Sequence, residues 1–267
     1  MTIIQAIFLG LIQGLTEFIP VSSSGHLVLA HNALGIQQSG LIFDVALHIG
    51  TLLALLVLFY KDIINLIKGL FTNDKLGKLA RFLIIATIPA VIVGYLFETA
   101  AETTFRSTEL VSITLIAMAL VMLFAEKYSK DRQNKQNLDN MNKKQAIGIG
   151  VAQSLAIIPG ISRSGVTITT GLFAGLDRVS ATRFSFLLAI PVTFGAIVKV
   201  FLSSENLHQI THEQSIFAVG IITAFISGIF AIKFMIKYLS KHTLNIFAYY
   251  RIVVGVGALI LTLVINK

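Results

Sequence analysis

Apolar residues fall along this chain in long blocks, without the short two-residue alternation that marks half-buried strands. Six blocks, at 41–60, 80–98, 108–125, 184–202, 214–236 and 244–265, carry few charges and are separated by short polar connections. An α-helix of about 20 residues crosses the roughly 30 Å hydrocarbon core of a bilayer, so each block predicts a transmembrane helix. Two further apolar stretches, 1–35 and 144–175, are interrupted differently. In the first, Gln5, Gln13 and Glu17 recur at multiples of four and so share one helical face, while Gly10 and Gly14 permit close approach of another helix. Pro20 then disfavours helix at Ile19, and Ser22-Ser23-Ser24-Gly25 supplies N-cap residues before Leu27-Val28-Leu29-Ala30 restarts the apolar pattern. In the second, Pro159-Gly160 is the break and Ser162-Arg163-Ser164-Gly165 leads into Val166-Thr167-Ile168. Both read as re-entrant helical hairpins.

The two hairpins are copies of one sequence. Gln5–Gly25 and Gln145–Gly165 align without a gap at 9 identities in 21 positions, including Gln5/Gln145, Gly10/Gly150, Gln13/Gln153, Ser22/Ser162, Ser24/Ser164 and Gly25/Gly165. They differ where chemistry can reside, because the first carries Glu17, Ser23 and His26 and the second carries Arg163. Three spans follow each copy. The predicted fold is an all-α polytopic membrane protein with a first repeat at 1–128, a polar linker at 129–143 and a second repeat at 144–267.

Composition agrees and narrows the classes. With 55% hydrophobic residues, 13% charged residues and a mean hydropathy of +0.83, the chain is too apolar for a soluble domain. Absence of cysteine removes disulfides, thiol catalysis and Cys-type metal sites. The N-terminus lacks a basic segment, and its apolar stretch is interrupted by Gln5, Gln13 and Glu17, so it reads as mature protein. A net charge of +8 does not signal nucleic acid here, because most Lys and Arg lie in a few short loops, as membrane topology requires. The loops 61–81 and 127–144 are basic and predicted to be cytoplasmic, as is the segment with Lys233, Lys237 and Lys241. By contrast, 98–109, with Glu98, Glu102 and Glu109, and 203–213, with Glu205 and Glu213, are predicted to face outward, and Lys267 to end outside. Three spans per repeat is an odd number. The second half is therefore predicted to be inverted, with the two broken tips meeting near the membrane midplane.

Each hairpin offers a helix N-terminus with free N–H groups and hydroxyls, a ready anion site. Two such termini with one Arg between them suit a diphosphate. Ser22, Ser24, Ser162 and Ser164 taken alone are equally readable as packing residues. Arg163 and Glu17 are harder to explain by packing, since a charge at membrane depth costs roughly 2.5–3.5 kcal/mol on insertion scales and normally marks a site. Asp44 and His48, one turn apart, read as a solvated rim in preference to partners of the site. Arg251, beside Tyr249 and Tyr250, reads as a counter-charge or as a side chain snorkelling to the inner interface, and His31, His208, His212 and His242 read as loop or interface residues.

The segments Gln13-Gly14-Leu15-Thr16-Glu17-Phe18-Ile19-Pro20-Val21-Ser22-Ser23-Ser24-Gly25-His26 and Pro159-Gly160-Ile161-Ser162-Arg163-Ser164-Gly165-Val166-Thr167 resemble the two signature motifs of the bacterial undecaprenyl-diphosphate phosphatases, the bacitracin-resistance family. The resemblance extends to Phe184–Pro191 and Ala248-Tyr249-Tyr250-Arg251. It implies an enzyme of the bacterial plasma membrane, acting at the outer face, that removes the terminal phosphate of undecaprenyl diphosphate and so recycles the lipid carrier of peptidoglycan synthesis. It further implies Glu17, Ser23, His26 and Arg163 as catalytic residues, and Gln13, Ser22, Ser24, Ser162, Ser164 and Thr167 as substrate-binding residues. Ser23 would be the nucleophile or position water, with His26 moving a proton and Glu17 orienting His26 or holding Mg²⁺ or Ca²⁺. Gln13 stands where some members have Glu, which weakens a two-carboxylate metal site and favours a single carboxylate with one divalent ion, or an ion held partly by the substrate. The expected partners are a polyprenyl diphosphate lipid and, as a candidate, a second copy of the chain. The rival function is a secondary transporter or flippase for an anionic lipid, because inverted repeats with broken helices are a transporter design.

Overall fold

The computed structural model describes residues 1–36, 40–130, 135–203, 208 and 210–265. Of the residues that carried the topology argument, Glu205 and Lys267 lie outside these, as do Asp131, Arg132, Gln133 and Asn134 of the linker. All regular structure among the described residues is helical.

The first hairpin is α1 (Ile3–Phe18) and α2 (Ser23–Leu34). A reciprocal cap starts α1, in which Thr2 Oγ1 accepts the Gln5 N–H and Gln5 Oε1 accepts the Thr2 N–H. Ile19 is extended at φ −74° and ψ 134°, as the residue before a proline should be. A left-handed Gly35 closes α2, with its neighbour Ile36 donating back to the His31 carbonyl. The second hairpin follows the same plan. Its arms are α8 (Lys143–Ser154), opened by the matching Asn142/Gln145 cap, and α9 (Arg163–Phe173). The repeated Gln5 and Gln145 are therefore capping residues and take no part in the site.

Between the hairpins lie α3 (Gly40–Leu58), α4 (Tyr60–Gly69), α5 (Lys75–Leu96), the short α6 (Glu98–Glu102) and α7 (Thr108–Lys130). After the second hairpin come α10 (Arg178–Phe201), α11 (Gln214–Leu239) and α12 (Asn245–Ile265). Five of these, α5, α7, α10, α11 and α12, are long and apolar enough to cross a membrane. The block at 41–60 ends differently from the prediction. The chain bends by 77° between Leu58 and Tyr60 and continues as α4, so most of the predicted loop 61–81 is helix.

Close helix contacts set the hairpins in place. The arm α1 lies against α11, where a Cβ on Gly14 would stand 1.9 Å from Ser227 Oγ and 2.5 Å from the Ala224 carbonyl oxygen. Only glycine lets the helix carrying Glu17 approach that far. Phe18 at the end of α1 packs edge-on against Phe186 of α10, with ring centroids 5.4 Å apart, so the two hairpin regions share one core. The outer surface presents apolar side chains such as Val91, Ile92, Phe230, Val253 and Leu261 to the bilayer. The linker does more than separate halves. The Gln136 N–H donates to the Gly175 carbonyl and the Gln136 carbonyl accepts the Asp177 N–H, docking the linker on the turn after α9. Nearby, the buried Glu126 accepts from Arg178 and from the Leu244 N–H, tying α7 to the starts of α10 and α12.

Candidate active site

The two hairpin breaks meet in the interior. Ser22 and Ser162 are the N-caps of α2 and α9, and each accepts the N–H three residues on, from Gly25 at 3.3 Å and Gly165 at 3.0 Å. Both adopt positive φ, 77° and 75°, the only non-glycine residues among those described to do so. That backbone is strained for any residue with a Cβ, and such strain persists where surrounding structure holds it and clusters at functional sites. Direct bonds hold the tips together. The Gly160 N–H donates to Ser22 Oγ at 3.1 Å and Ser164 Oγ donates to the Ile19 carbonyl at 3.3 Å.

Around these tips the charged residues converge. The Glu17 carboxylate, 7% exposed, accepts from Arg163 Nη2 at 2.6 Å on one oxygen, and from Ser23 Oγ at 2.5 Å and Gln13 Nε2 at 3.1 Å on the other. One carboxylate thus joins the nucleophile candidate of the first hairpin to the cation of the second, 146 residues away. Arg163 Nη1 also donates to the Ser185 carbonyl at 3.2 Å, and the Ser185 hydroxyl is 2.6 Å from Thr167 Oγ1. Ser24 and Ser164 lie 3.3 and 3.2 Å from the cap oxygens of Ser22 and Ser162. Chemically, a hydroxyl on a carboxylate, beside a guanidinium and two helix N-termini, can attack an electrophile and stabilise negative charge on it.

His26 is not brought to Glu17. Its Nδ1 donates to the Ser22 carbonyl at 2.8 Å and its Nε2 is 2.8 Å from the Tyr250 hydroxyl, against which the ring stacks. The histidine facing Glu17 is His48, with Nε2 3.6 Å from Oε2 and Nδ1 donating to the Asp44 carbonyl. This corrects the rim reading of Asp44 and His48. Asp44 is 6% exposed and accepts from His31 Nε2 at 2.7 Å and Arg106 Nη2 at 2.9 Å, so His31, 5% exposed, is not a loop residue either. A carboxylate buried in an apolar protein is retained only when paired, and here the Arg106 guanidinium and the His31 ring, from separate elements, both bond to it.

Glu17, the Ser23 hydroxyl and Gln13 Oε1, which is buried without a hydrogen-bond partner, form a set of hard oxygen donors of the kind Mg²⁺ and Ca²⁺ take. Among the described residues no three His, Cys, Asp or Glu side chains gather as a metal site. The set fits an ion that draws its remaining oxygens from a phosphate substrate.

The family model described as bacitracin resistance protein BacA matches residues 6–257 of the chain. The chain belongs to this family. Its relatives there include the undecaprenyl-diphosphatase of Desulforudis audaxviator, 43% identical over 264 residues that cover 97% of each chain. Those of Caldicellulosiruptor bescii and Moorella thermoacetica are each 44% identical, over 94% and 96% of both chains respectively.

Within this member of the family, sequence reasoning missed one residue most clearly. Arg251 is fully buried at 0% exposure and neither snorkels nor meets a carboxylate in any described ion pair. Its guanidinium donates instead to main-chain carbonyls, those of Pro20 at 3.2 Å, Gly160 at 2.5 Å, Ile161 at 3.2 Å and Leu115 at 3.2 Å. The available signal was the cost of an arginine inside an apolar span, which argues for buried partners, but nothing in the pattern says those partners are backbone.

Proposed function

We propose that this protein is an undecaprenyl-diphosphatase, a phosphatase of the bacterial plasma membrane that hydrolyses undecaprenyl diphosphate to undecaprenyl phosphate and inorganic phosphate. It thereby returns the lipid carrier to peptidoglycan synthesis and confers bacitracin resistance. Family membership and the names of full-length relatives support the substrate. The observation that carries the chemistry is the Ser23–Glu17–Arg163 chain of hydrogen bonds across the two hairpins.

In this reading Ser23 Oγ attacks the terminal phosphorus and its proton passes to Glu17 along the 2.5 Å bond. The bridging P–O bond breaks and the polyprenyl monophosphate leaves with that oxygen. The Glu17 proton goes with the departing monophosphate; water then attacks the phosphoserine, giving a proton to Glu17, which passes it to the serine oxygen as inorganic phosphate departs. Arg163, held from behind by the Ser185 carbonyl, and the free N–H groups of α2 and α9 neutralise the equatorial oxygens, where preorganised positive charge contributes most. Ser22, Ser24, Ser162, Ser164 and Thr167 fix the two tips and donate to the outer oxygens. His26, three residues after Ser23, is held beside the leaving phosphate by its bonds to the Ser22 carbonyl and the Tyr250 hydroxyl. Glu17, Gln13 and Ser23 would hold a divalent cation together with the diphosphate, and a bound cation supplies further charge neutralisation at the phosphoryl group.

The polyprenyl tail lies among the apolar spans, so the lipid is not extracted. The halves 1–128 and 144–267 are inverted and their hairpins enter from opposite faces, with the site opening outward, a topology supported by the basic segments Lys61–Arg81, Lys127–Lys144 and Lys233–Lys241. Phosphate release from undecaprenyl diphosphate by the purified protein in detergent, with and without chelator, tests the proposal. Release that Ser23→Ala and Arg163→Ala abolish is expected. A folded wild type that releases none refutes the phosphatase and favours lipid transport, while loss on chelation brings a cation into the site.

A further inference from the structure

The guanidinium of Arg251 bonds to equivalent atoms of the two sequence copies. Pro20 and Gly160 align in the repeat, each lies two residues before the positive-φ serine that caps its second arm, and the carbonyl of each accepts from a different nitrogen of Arg251. Because the helices are broken there, those carbonyls lack the usual acceptor role in a helix ladder, and inside a membrane protein an unsatisfied one is costly. The Nε donates to Leu115 on α7, which anchors the fork to a membrane span. A planar five-donor fork fixes the separation of such carbonyls in a way that a point-charge ammonium does not. Gly165, in the first turn of α9, lies against the same guanidinium, since a Cβ there would stand 3.0 Å from Ser162 Cβ and touch Arg251 Nη1 at 3.4 Å.

We propose that Arg251 is the positioning residue of the reaction centre: by clasping the Pro20 and Gly160–Ile161 carbonyls it sets the spacing of the two hairpin tips, and so the placement of Ser23 against Arg163. This rests on the phosphatase reading for its kinetic consequence only. The spacing is measurable without activity. A displacement of about 1 Å at reacting groups is enough to cost roughly a hundredfold in rate. Arg251→Lys keeps the charge and loses the fork, and Arg251→Gln loses both.

The test combines kinetics with a distance. The chain has no cysteine, so Leu15→Cys with Leu155→Cys, equivalent exposed positions near the two breaks, carries one clean pair of spin labels. Expected for both Arg251 variants are a fall in kcat of about a hundredfold with KM within about threefold, as a misplaced but still binding site gives, and a broadened or shifted label distance. Retained kcat in Arg251→Lys overturns the proposal, and so does lost kcat with an unchanged distance, which would assign Arg251 a purely electrostatic effect. Should both variants fail to fold, Gly255→Ala takes their place. Its Cβ would meet Ile116 Cγ1 at 2.8 Å and the Ser112 carbonyl oxygen at 2.9 Å, lifting α12 from α7 one turn beyond Arg251 without removing it. The same pair of readings is then expected, and a full-rate enzyme with a shifted label distance overturns the proposal. A wild type without phosphatase activity removes the functional reading, and the distance alone then decides the role of Arg251.

Discussion

Glu17→Gln separates what the carboxylate contributes to folding from what it contributes to chemistry. The glutamine is isosteric and keeps one oxygen acceptor, but it loses the charge that faces Arg163 at 2.6 Å and His48 at 3.6 Å. Removing one partner of a buried ion pair costs about 3–5 kcal/mol, and the retained acceptor together with the Ser185 carbonyl on Arg163 reduces that to about 2–4 kcal/mol. The stability loss should be read by unfolding in a dodecyl sulfate titration followed by circular dichroism. Combined with Arg163→Gln in a double-mutant cycle, it should show a coupling of about 1.5–3 kcal/mol, the range of hydrogen bonds to charged groups. The rate effect is separate. A general base is worth about 10²–10⁴-fold, so kcat for phosphate release from undecaprenyl diphosphate should fall by that factor, equivalent to about 2.7–5.4 kcal/mol of barrier. A variant that folds and keeps kcat within tenfold of wild type refutes Glu17 as the acceptor of the Ser23 proton. Additive stabilities in the cycle refute the Glu17–Arg163 bond as a tie between the hairpins.

Asp44→Asn should destabilise the protein by about 3 kcal/mol, since it leaves His31 and Arg106 without their shared carboxylate, and His31→Gln in that background should add less than it does alone. Tyr250→Phe removes the partner of His26 Nε2 and should lower kcat several-fold with KM little changed in the same phosphate-release assay, whereas equal kcat would detach His26 from the reaction. Gly160→Ala should lower both yield and stability, by about 1–3 kcal/mol in the detergent titration. Gly160 has φ +93°, and its Cβ would stand 2.0 Å from Thr114 Oγ1 and 2.7 Å from the Val111 carbonyl oxygen.

Local rules read directly from the residues account for much of the molecule. Blocks of apolar residues long enough to cross a bilayer became α5, α7, α10, α11 and α12, because a span must satisfy its own backbone inside lipid and only a helix does so within one segment. Pro20 and Pro159-Gly160 broke the hairpins where their backbone chemistry requires it, and Ser22 and Ser162 capped the returning arms. The duplicated motif also pointed to Glu17, Ser23 and Arg163 as a group, since a charge retained at membrane depth needs a reason. What the residues could not declare was who meets whom. Asp44 and His48 carry the same i, i+4 spacing on a solvated rim as beside an active site, and the buried setting came from α2, Arg106 and α1 arriving from elsewhere in the chain. His26 lies in the signature motif, yet its two nitrogens are taken by Ser22 and by Tyr250, 224 residues away. The partners of Arg251 are main-chain carbonyls, which every residue possesses and no side-chain pattern can mark. Helices and breaks are decided by interactions within a few residues, so the sequence alone determines them, whereas pairing across 100 residues or more depends on the packed geometry of all the spans together.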